Sequence, residues 1–116
     1  MTMLEALTQW GGEVEDALAR FDGDEEMYVT CLHIFAKDEN FALLGEQMAA
    51  GDYEAAFDSA HTLKGVSANL SLTPLYQVIC LLVEALRHKE YDRAVKIYPA
   101  LHKAQESFCK LVKESV

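Results

Sequence analysis

The stretch SAHTLKGVSANL, residues 59–70, has the apolar spacing of an amphipathic helix, and a single histidine lies within it. Together with the residues just before it, the stretch has an inward stripe that consists of Ala56, Ala60, Leu63, Ser67 and Leu70. A second stripe, at positions i, i+3, i+4 and i+7, consists of His61, Lys64, Gly65 and Ala68. We therefore expect a helix that buries the first stripe in a core and exposes the second.

The rest of the chain is also predicted to be helical. Apolar residues recur at helical spacing, and no stretch alternates between apolar and polar residues as a half-buried strand does. Pro99 is expected to kink or split the last helix near Tyr98. Cap and turn residues divide the chain into a short amphipathic stretch around 14–21 and longer helices at 25–36, about 39–50, 53–70, 74–88 and 91–113.

The connections between these helices are short, which favours antiparallel neighbours. The predicted fold class is therefore all-α, an antiparallel up-and-down four-helix bundle with short additional N-terminal helices. With 116 residues the chain has the size of one domain, 1–116, in which residues 1–23 lead into a bundle formed by residues 24–116.

The composition argues against several functional classes. The formal net charge is −9, and Lys and Arg form no cluster longer than a pair, so the chain should repel nucleic-acid backbones. No apolar run is long enough to span a membrane, and no signal-peptide pattern is expected at the start of the chain. Cys31, Cys80 and Cys109 form no C-x-x-C motif, which favours free thiols in a reducing, cytoplasmic compartment.

The exposed stripe points to a specific chemistry. An imidazole is nucleophilic and titrates near neutral pH, and Lys64, one turn after His61, provides a mobile positive charge. Gly65 lacks a Cβ on the same face, although glycine inside a helix costs about 0.5–1 kcal/mol relative to alanine. Such a glycine indicates close approach by another molecule. The three residues together suit a histidine that takes up a bulky anionic group.

The string HTLKGVSANL, residues 61–70, resembles the H-x-L-K-G-x-S-x-x-L signature of histidine-containing phosphotransfer (HPt) domains. The resemblance extends to the preceding alanine, to ALARFDGDEEMY at 17–28, and to a pattern in the next helix formed by Leu75, Cys80, Leu82 and Glu84. Two positions depart from the family pattern, since glycine is frequent there where this chain has Ser71 and Lys89. Both positions lie at helix ends, away from the histidine.

The resemblance implies a phosphoryl carrier in a multi-step two-component phosphorelay. His61 would accept phosphate from a receiver-domain aspartyl phosphate and pass it to another receiver, Lys64 would neutralise the phosphate charge, and Gly65 would give the partner access. A receiver-docking surface is implied that includes Ser67, Ala68 and Asp58. The implied partners are response-regulator receiver domains and a hybrid histidine kinase, with magnesium on the receiver and no cofactor or metal on this chain.

The sequence is also compatible with functions other than phosphoryl transfer. The chain has no Gly-rich phosphate loop and no kinase ATP-binding motif, so an autonomous enzyme is not expected. The main alternative is a non-phosphorylated interaction module that binds a receiver or another helical partner. The third hypothesis is an all-α domain in which the histidine is incidental. A monomer is expected because no second apolar face is evident.

Metal binding is the competing chemistry for His61, since Glu54 and Asp58 precede it on the same side of the helix. Di-metal bundles need two Glu-x-x-His elements on facing helices, whereas Asp58-x-x-His61 is the only acid-x-x-His pair in the sequence. A metal site is therefore not expected. The remaining histidines are expected to have no role in a site: His33, His88 and His102.

Overall fold

Seven α-helices make up almost all of the computed structural model, which describes residues 1–115. They are α1 (Met3–Trp10), α2 (Val14–Arg20), α3 (Glu25–Ala36), α4 (Glu39–Ala50), α5 (Tyr53–Asn69), α6 (Thr73–Arg87) and α7 (Tyr91–Glu114). No strand occurs in residues 1–115, which confirms the all-α prediction. Within the same range, no helix combines the length and apolar character that crossing a bilayer requires.

Capping contacts confirm the predicted helix starts in the first half of the chain. The side chain of Asp24 accepts a hydrogen bond from the N–H of Met27 at 3.0 Å, and Asp52 accepts one from Ala55 at 3.3 Å. Gly51 ends α4 with a left-handed φ of 71°, which glycine adopts without steric cost. Local sequence therefore sets where the histidine-bearing helix α5 begins.

Helices α4 to α7 form the bundle. α5 packs against both α4 and α6, α6 packs against α7, and α7 also meets α4. Two contacts show that α5 and α6 are antiparallel. Phe57, early in α5, meets Arg87, late in α6. Ala68, late in α5, and Tyr76, early in α6, line one cavity near the connection between the helices. α1 and α3 pack against α7. The predicted bundle with additional N-terminal helices is confirmed.

The core includes apolar side chains from every helix. An aromatic cluster joins the N-terminal helices to the bundle, since the Phe35 ring centroid lies 5.1 Å from that of Phe41 and 5.9 Å from that of Phe108. The Trp10 ring at the end of α1 also lies 5.9 Å from Phe108. Trp10 therefore attaches α1 to α7.

The start of α6 differs slightly from the sequence-based expectation. The helix begins at Thr73, with Leu72 at the cap position, and not at Pro74. The Thr73 hydroxyl donates to the Glu13 carboxylate at 2.9 Å, so it ties α6 to the segment before α2 and does not cap the helix. A tertiary contact has replaced the local capping contact.

Of the two outcomes expected at Pro99, a kink or a split, the split is wrong, because α7 continues through the proline as one helix of 24 residues. Proline removes one backbone hydrogen bond and crowds the preceding turn, at a cost of about 3 kcal/mol. Ala94 and Leu101, on either side of it, are both buried in the core. Their packing on both sides of Pro99 keeps the two halves of α7 in one helix.

Candidate functional site

The two stripes predicted for α5 differ in exposure as expected. The inward stripe is buried at every position: Ala56, Ala60, Leu63, Ser67 and Leu70. In the second stripe, His61 and Gly65 are exposed, whereas Lys64 and Ala68 are half-buried. The buried stripe anchors α5 in the bundle, and His61 is consequently held on its solvent-facing side.

Gly65 faces open space. A Cβ built at this position would have no heavy atom within 4 Å beyond its own helix backbone. Nothing inside the protein therefore requires glycine here, although alanine would be about 0.5–1 kcal/mol more favourable in a helix interior. The surface of α5 is therefore open at this turn.

Ser67 does not belong to the exposed surface, so its predicted place in a docking surface is corrected. Its side chain is fully buried, and its hydroxyl donates to the carbonyl oxygen of Lys64 at 3.0 Å. A serine inside a helix commonly satisfies its hydroxyl with a carbonyl of the preceding turn. The role of Ser67 is therefore to fill the core beneath Lys64.

Asp58 and Ala68 flank His61 at opposite ends of the exposed face. Asp58 is exposed, one turn before the histidine. Ala68 is half-buried, two turns after it, and lines a cavity with Arg20 of α2 and Tyr76 of α6. The face around His61 therefore extends from Asp58, in the first half of α5, to the junction with α2 and α6.

Sequence reasoning missed Phe57, which contacts His61, and Arg87, which contacts Phe57. The Phe57 ring stacks on the imidazole with centroids 5.8 Å apart and planes inclined by 30°. The Arg87 guanidinium lies over the Phe57 ring, 5.2 Å from its centroid. The Arg87 Nε also donates to Glu84 at 3.2 Å, and this hydrogen bond lowers the pKa of the Glu84 carboxyl. Phe57 was detectable from its i−4 spacing, but Arg87 comes from another helix.

The connection that follows α5 is held by α2. The Arg20 guanidinium donates to the Asn69 carbonyl oxygen at 3.0 Å and to the Ser71 hydroxyl at 2.8 Å. The Ser71 hydroxyl in turn donates to Asp16 at 2.9 Å. This hydrogen bond, with the nearby Arg20 charge, lowers the pKa of the Asp16 carboxyl. The end of α5 is thus fixed by residues about fifty positions earlier in the chain.

The other histidines lie outside α5, although His88 shares the Glu84 carboxylate with Arg87. His88 and His102 each pair with a glutamate one turn away in sequence, with closest nitrogen–oxygen distances of 3.3 Å to Glu84 and Glu106. His33 is exposed on α3. In residues 1–115, no three His, Cys, Asp or Glu side chains come together as a potential metal site.

The comparison with known families finds a match that covers the site. The family model of the Hpt domain matches residues 37–106, which is more than half of the 116-residue chain and includes α4, α5 and α6. Neither the curated proteins nor the solved structures gave a significant match. The matched region contains the exposed histidine, the lysine and the open glycine of α5. The chain therefore belongs to the Hpt domain family, whose members transfer phosphoryl groups on histidine in phosphorelays.

Proposed function

We propose that this chain is a phosphoryl carrier in a multi-step phosphorelay. His61 accepts a phosphoryl group from the aspartyl phosphate of one receiver domain and passes it to the aspartate of another. The observation that carries the proposal is the exposed His61 with Lys64 and the open space at Gly65 beside it on α5. Family membership supports the reaction type, since Hpt domains are phosphocarriers and not kinases.

In the transfer step this chain contributes the nucleophile, and the receiver contributes the phosphoryl group. An unprotonated ring nitrogen of His61 attacks phosphorus in line with the bond that breaks, while the other ring nitrogen keeps its proton. The P–N bond forms as the P–O bond to the receiver's aspartate breaks, and the aspartate leaves as a carboxylate. The reverse sequence delivers the phosphoryl group to the second receiver, so no ATP or other co-reactant enters.

The neighbours of His61 have distinct roles in this proposal. Lys64 is close enough, one helical turn away, to neutralise charge that develops on the phosphoryl oxygens. The missing side chain at Gly65 lets the receiver approach the helix backbone. Asp58 and Ala68, at the two ends of the exposed face, contact the rim of the docked receiver.

The proposal also covers partners and location. We assign the magnesium ion of the reaction to the receiver, and the partners are response-regulator receivers and a hybrid histidine kinase. The three free thiols fit a reducing, cytoplasmic location. The net charge of −9 disfavours nucleic acid as a partner, and the chain acts as a monomer.

The test is phosphoryl transfer from a panel of phosphorylated receiver domains to the wild type and to His61→Ala. We expect an acid-labile, alkali-stable label on the wild type and none on His61→Ala, whose helix content stays unchanged because the side chain is exposed. His102→Ala, which removes an exposed histidine from α7, is the matched control and keeps the label. Lys64→Ala should slow the transfer without abolishing it.

Two outcomes would contradict the carrier proposal. Equal labelling of His61→Ala and the wild type would place the phosphoryl group on another residue. A receiver that binds the wild type and His61→Ala alike, with no label on either, would favour the interaction module.

A further inference from the structure

The imidazole of His61 has few restraints of its own. Among residues 1–115 it takes part in no ion pair or side-chain hydrogen bond, whereas His88 and His102 each pair with a glutamate. An exposed side chain of this kind can turn among several staggered rotamers. The contact that restricts His61 is the aromatic stack with Phe57, one turn earlier in α5.

Phe57 is itself held in place from two directions. Its ring packs against the bundle core, and the Arg87 guanidinium of α6 lies 5.2 Å from its centroid. Arg87 is in turn oriented by its hydrogen bond to Glu84, at 3.2 Å. The Phe57 ring beside His61 therefore has contacts with both α5 and α6.

We propose that Phe57 is a positioning residue for His61, kept in place by Arg87. This inference rests on the proposed function of His61 and explains how an imidazole without a hydrogen-bond partner is oriented for transfer. The Phe57 ring restricts rotation of the imidazole and covers part of one of its faces. The ring nitrogens are then presented to the receiver from a limited range of directions.

Orientation matters for this reaction because phosphoryl transfer requires the attacking nitrogen, the phosphorus and the leaving oxygen to be roughly in line. A misplacement of about 1 Å at the reacting atoms can cost roughly 100-fold in rate. A loss of rotational restraint that leaves His61 in place should cost less. We expect the maximal transfer rate of Phe57→Leu to be about three- to tenfold lower than that of the wild type.

The first experiment measures the stack without any phosphoryl transfer. The ring current of Phe57 should shift the proton resonances of the His61 imidazole in the unphosphorylated protein. The shift should disappear in Phe57→Leu and be kept in Phe57→Tyr, which retains the ring. His61 resonances that are the same in the wild type and Phe57→Leu would overturn the proposal, whatever happens in the transfer assay.

The second experiment is single-turnover transfer from a phosphorylated receiver at increasing receiver concentration. Phe57→Leu should lower the maximal rate with little change in the half-saturating concentration, and Phe57→Tyr should restore it. The matched control is Tyr53→Leu, one turn earlier in α5, where the Tyr53 ring stacks on Tyr91 at 4.4 Å and not on the histidine. An equal loss of rate in Tyr53→Leu would show a general effect on α5 and overturn the positioning role.

Arg87 is tested by comparing two replacements. Arg87→Gln and Arg87→Lys both remove the planar guanidinium from the Phe57 ring, but only the lysine keeps the charge. If Arg87 acts through Phe57, both variants weaken the ring-current shift of His61 and lower the maximal rate. A full rate in Arg87→Lys together with a loss in Arg87→Gln would show a purely electrostatic role and overturn this part of the proposal.

The two readouts separate failure of this inference from failure of the proposed function. If no receiver labels the wild type but Phe57→Leu changes the His61 resonances, the positioning holds and the carrier proposal fails. If the wild type is labelled and the His61 resonances do not respond to Phe57→Leu, the carrier proposal holds and the positioning fails.

Discussion

Neighbouring residues on α5 differ sharply in burial. Gly65 is exposed in the interior of a helix, and a Cβ there would meet no atom beyond the helix. Its φ is not in the left-handed region, so alanine fits the backbone without strain. Ser67, two positions on, is fully buried and contributes to the core. Within one short signature, Gly65 therefore lies on the surface of α5 and Ser67 lies in the core.

We predict that Gly65→Ala makes the protein more stable but a poorer carrier. The free energy of unfolding should rise by about 0.5–1 kcal/mol, since alanine is the better helix former. The half-saturating receiver concentration should rise about three- to tenfold, equivalent to roughly 1 kcal/mol of lost binding. Denaturant unfolding and single-turnover transfer measure the two effects.

The matched control for Gly65→Ala is the reverse change on another helix, at the exposed Ala42 of α4. Ala42→Gly should lower stability by a similar amount and leave transfer unchanged. If Gly65→Ala bound the receiver as well as the wild type does, the open space would not be a docking requirement.

At the level of the helices, α4, α5 and α6 end in the same way. In each case the chain turns through a left-handed residue, and two backbone N–H groups bond back to carbonyls of the last turn. The left-handed residue is Gly51 after α4, with φ 71°, but Ser71 after α5 and Lys89 after α6, with φ 54° and 58°. The two departures from the family's glycine pattern therefore keep the geometry that glycine favours.

We predict that Lys89→Gly stabilises the protein. The left-handed conformation costs a residue with a Cβ about 1–2 kcal/mol, which glycine does not incur, and the greater freedom of glycine in the unfolded chain offsets part of the gain. The expected increase in the free energy of unfolding is about 0.5–1 kcal/mol. Gly51→Ala is the control and should lower stability; a loss of stability in Lys89→Gly would contradict the strain argument.

For the molecule as a whole, the N-terminal helices are tied to the end of the histidine-bearing helix. The Tyr28 hydroxyl of α3 is buried and donates to the Leu70 carbonyl oxygen at 2.7 Å. Arg20 of α2 holds the neighbouring Asn69 and Ser71. The family match begins at residue 37, after both of these helices. Residues outside the matched region thus help to fix the end of α5.

We predict that Tyr28→Phe lowers the free energy of unfolding by about 1–2 kcal/mol, because it leaves the Leu70 carbonyl without this donor. Burial raises the pKa of Tyr28 from 10.0 to about 12. The folded state therefore binds the phenolic proton of Tyr28 more tightly than the unfolded state does. The stability that the protonated Tyr28 contributes is fully present below pH 10 and is lost as the pH approaches 12.

The measurement for Tyr28 is denaturant unfolding of the wild type and Tyr28→Phe from pH 8 upward. The stability difference between the two proteins should be constant up to about pH 10 and then narrow as the wild type loses the contribution of Tyr28. A difference that stays constant to the highest pH would show that Tyr28 titrates alike in both states.

The sequence by itself determined the all-α class, the helix starts at Glu25, Glu39 and Tyr53, and the two stripes of α5. These features depend on the spacing of apolar residues and on capping residues within a few positions, so they are encoded locally. The histidine, lysine and glycine share a face of α5 for the same reason. Their roles in transfer stay a proposal.

The tertiary structure alone decided which distant residues complete the site. Arg87 reaches Phe57 beside His61 because α6 runs back along α5, and Arg20 reaches Ser71 because α2 lies beside the connection between them. Packing likewise kept α7 continuous through Pro99 against its local preference. These contacts join residues from separate helices, and their energies depend on how the helices pack, which no local pattern in the sequence specifies.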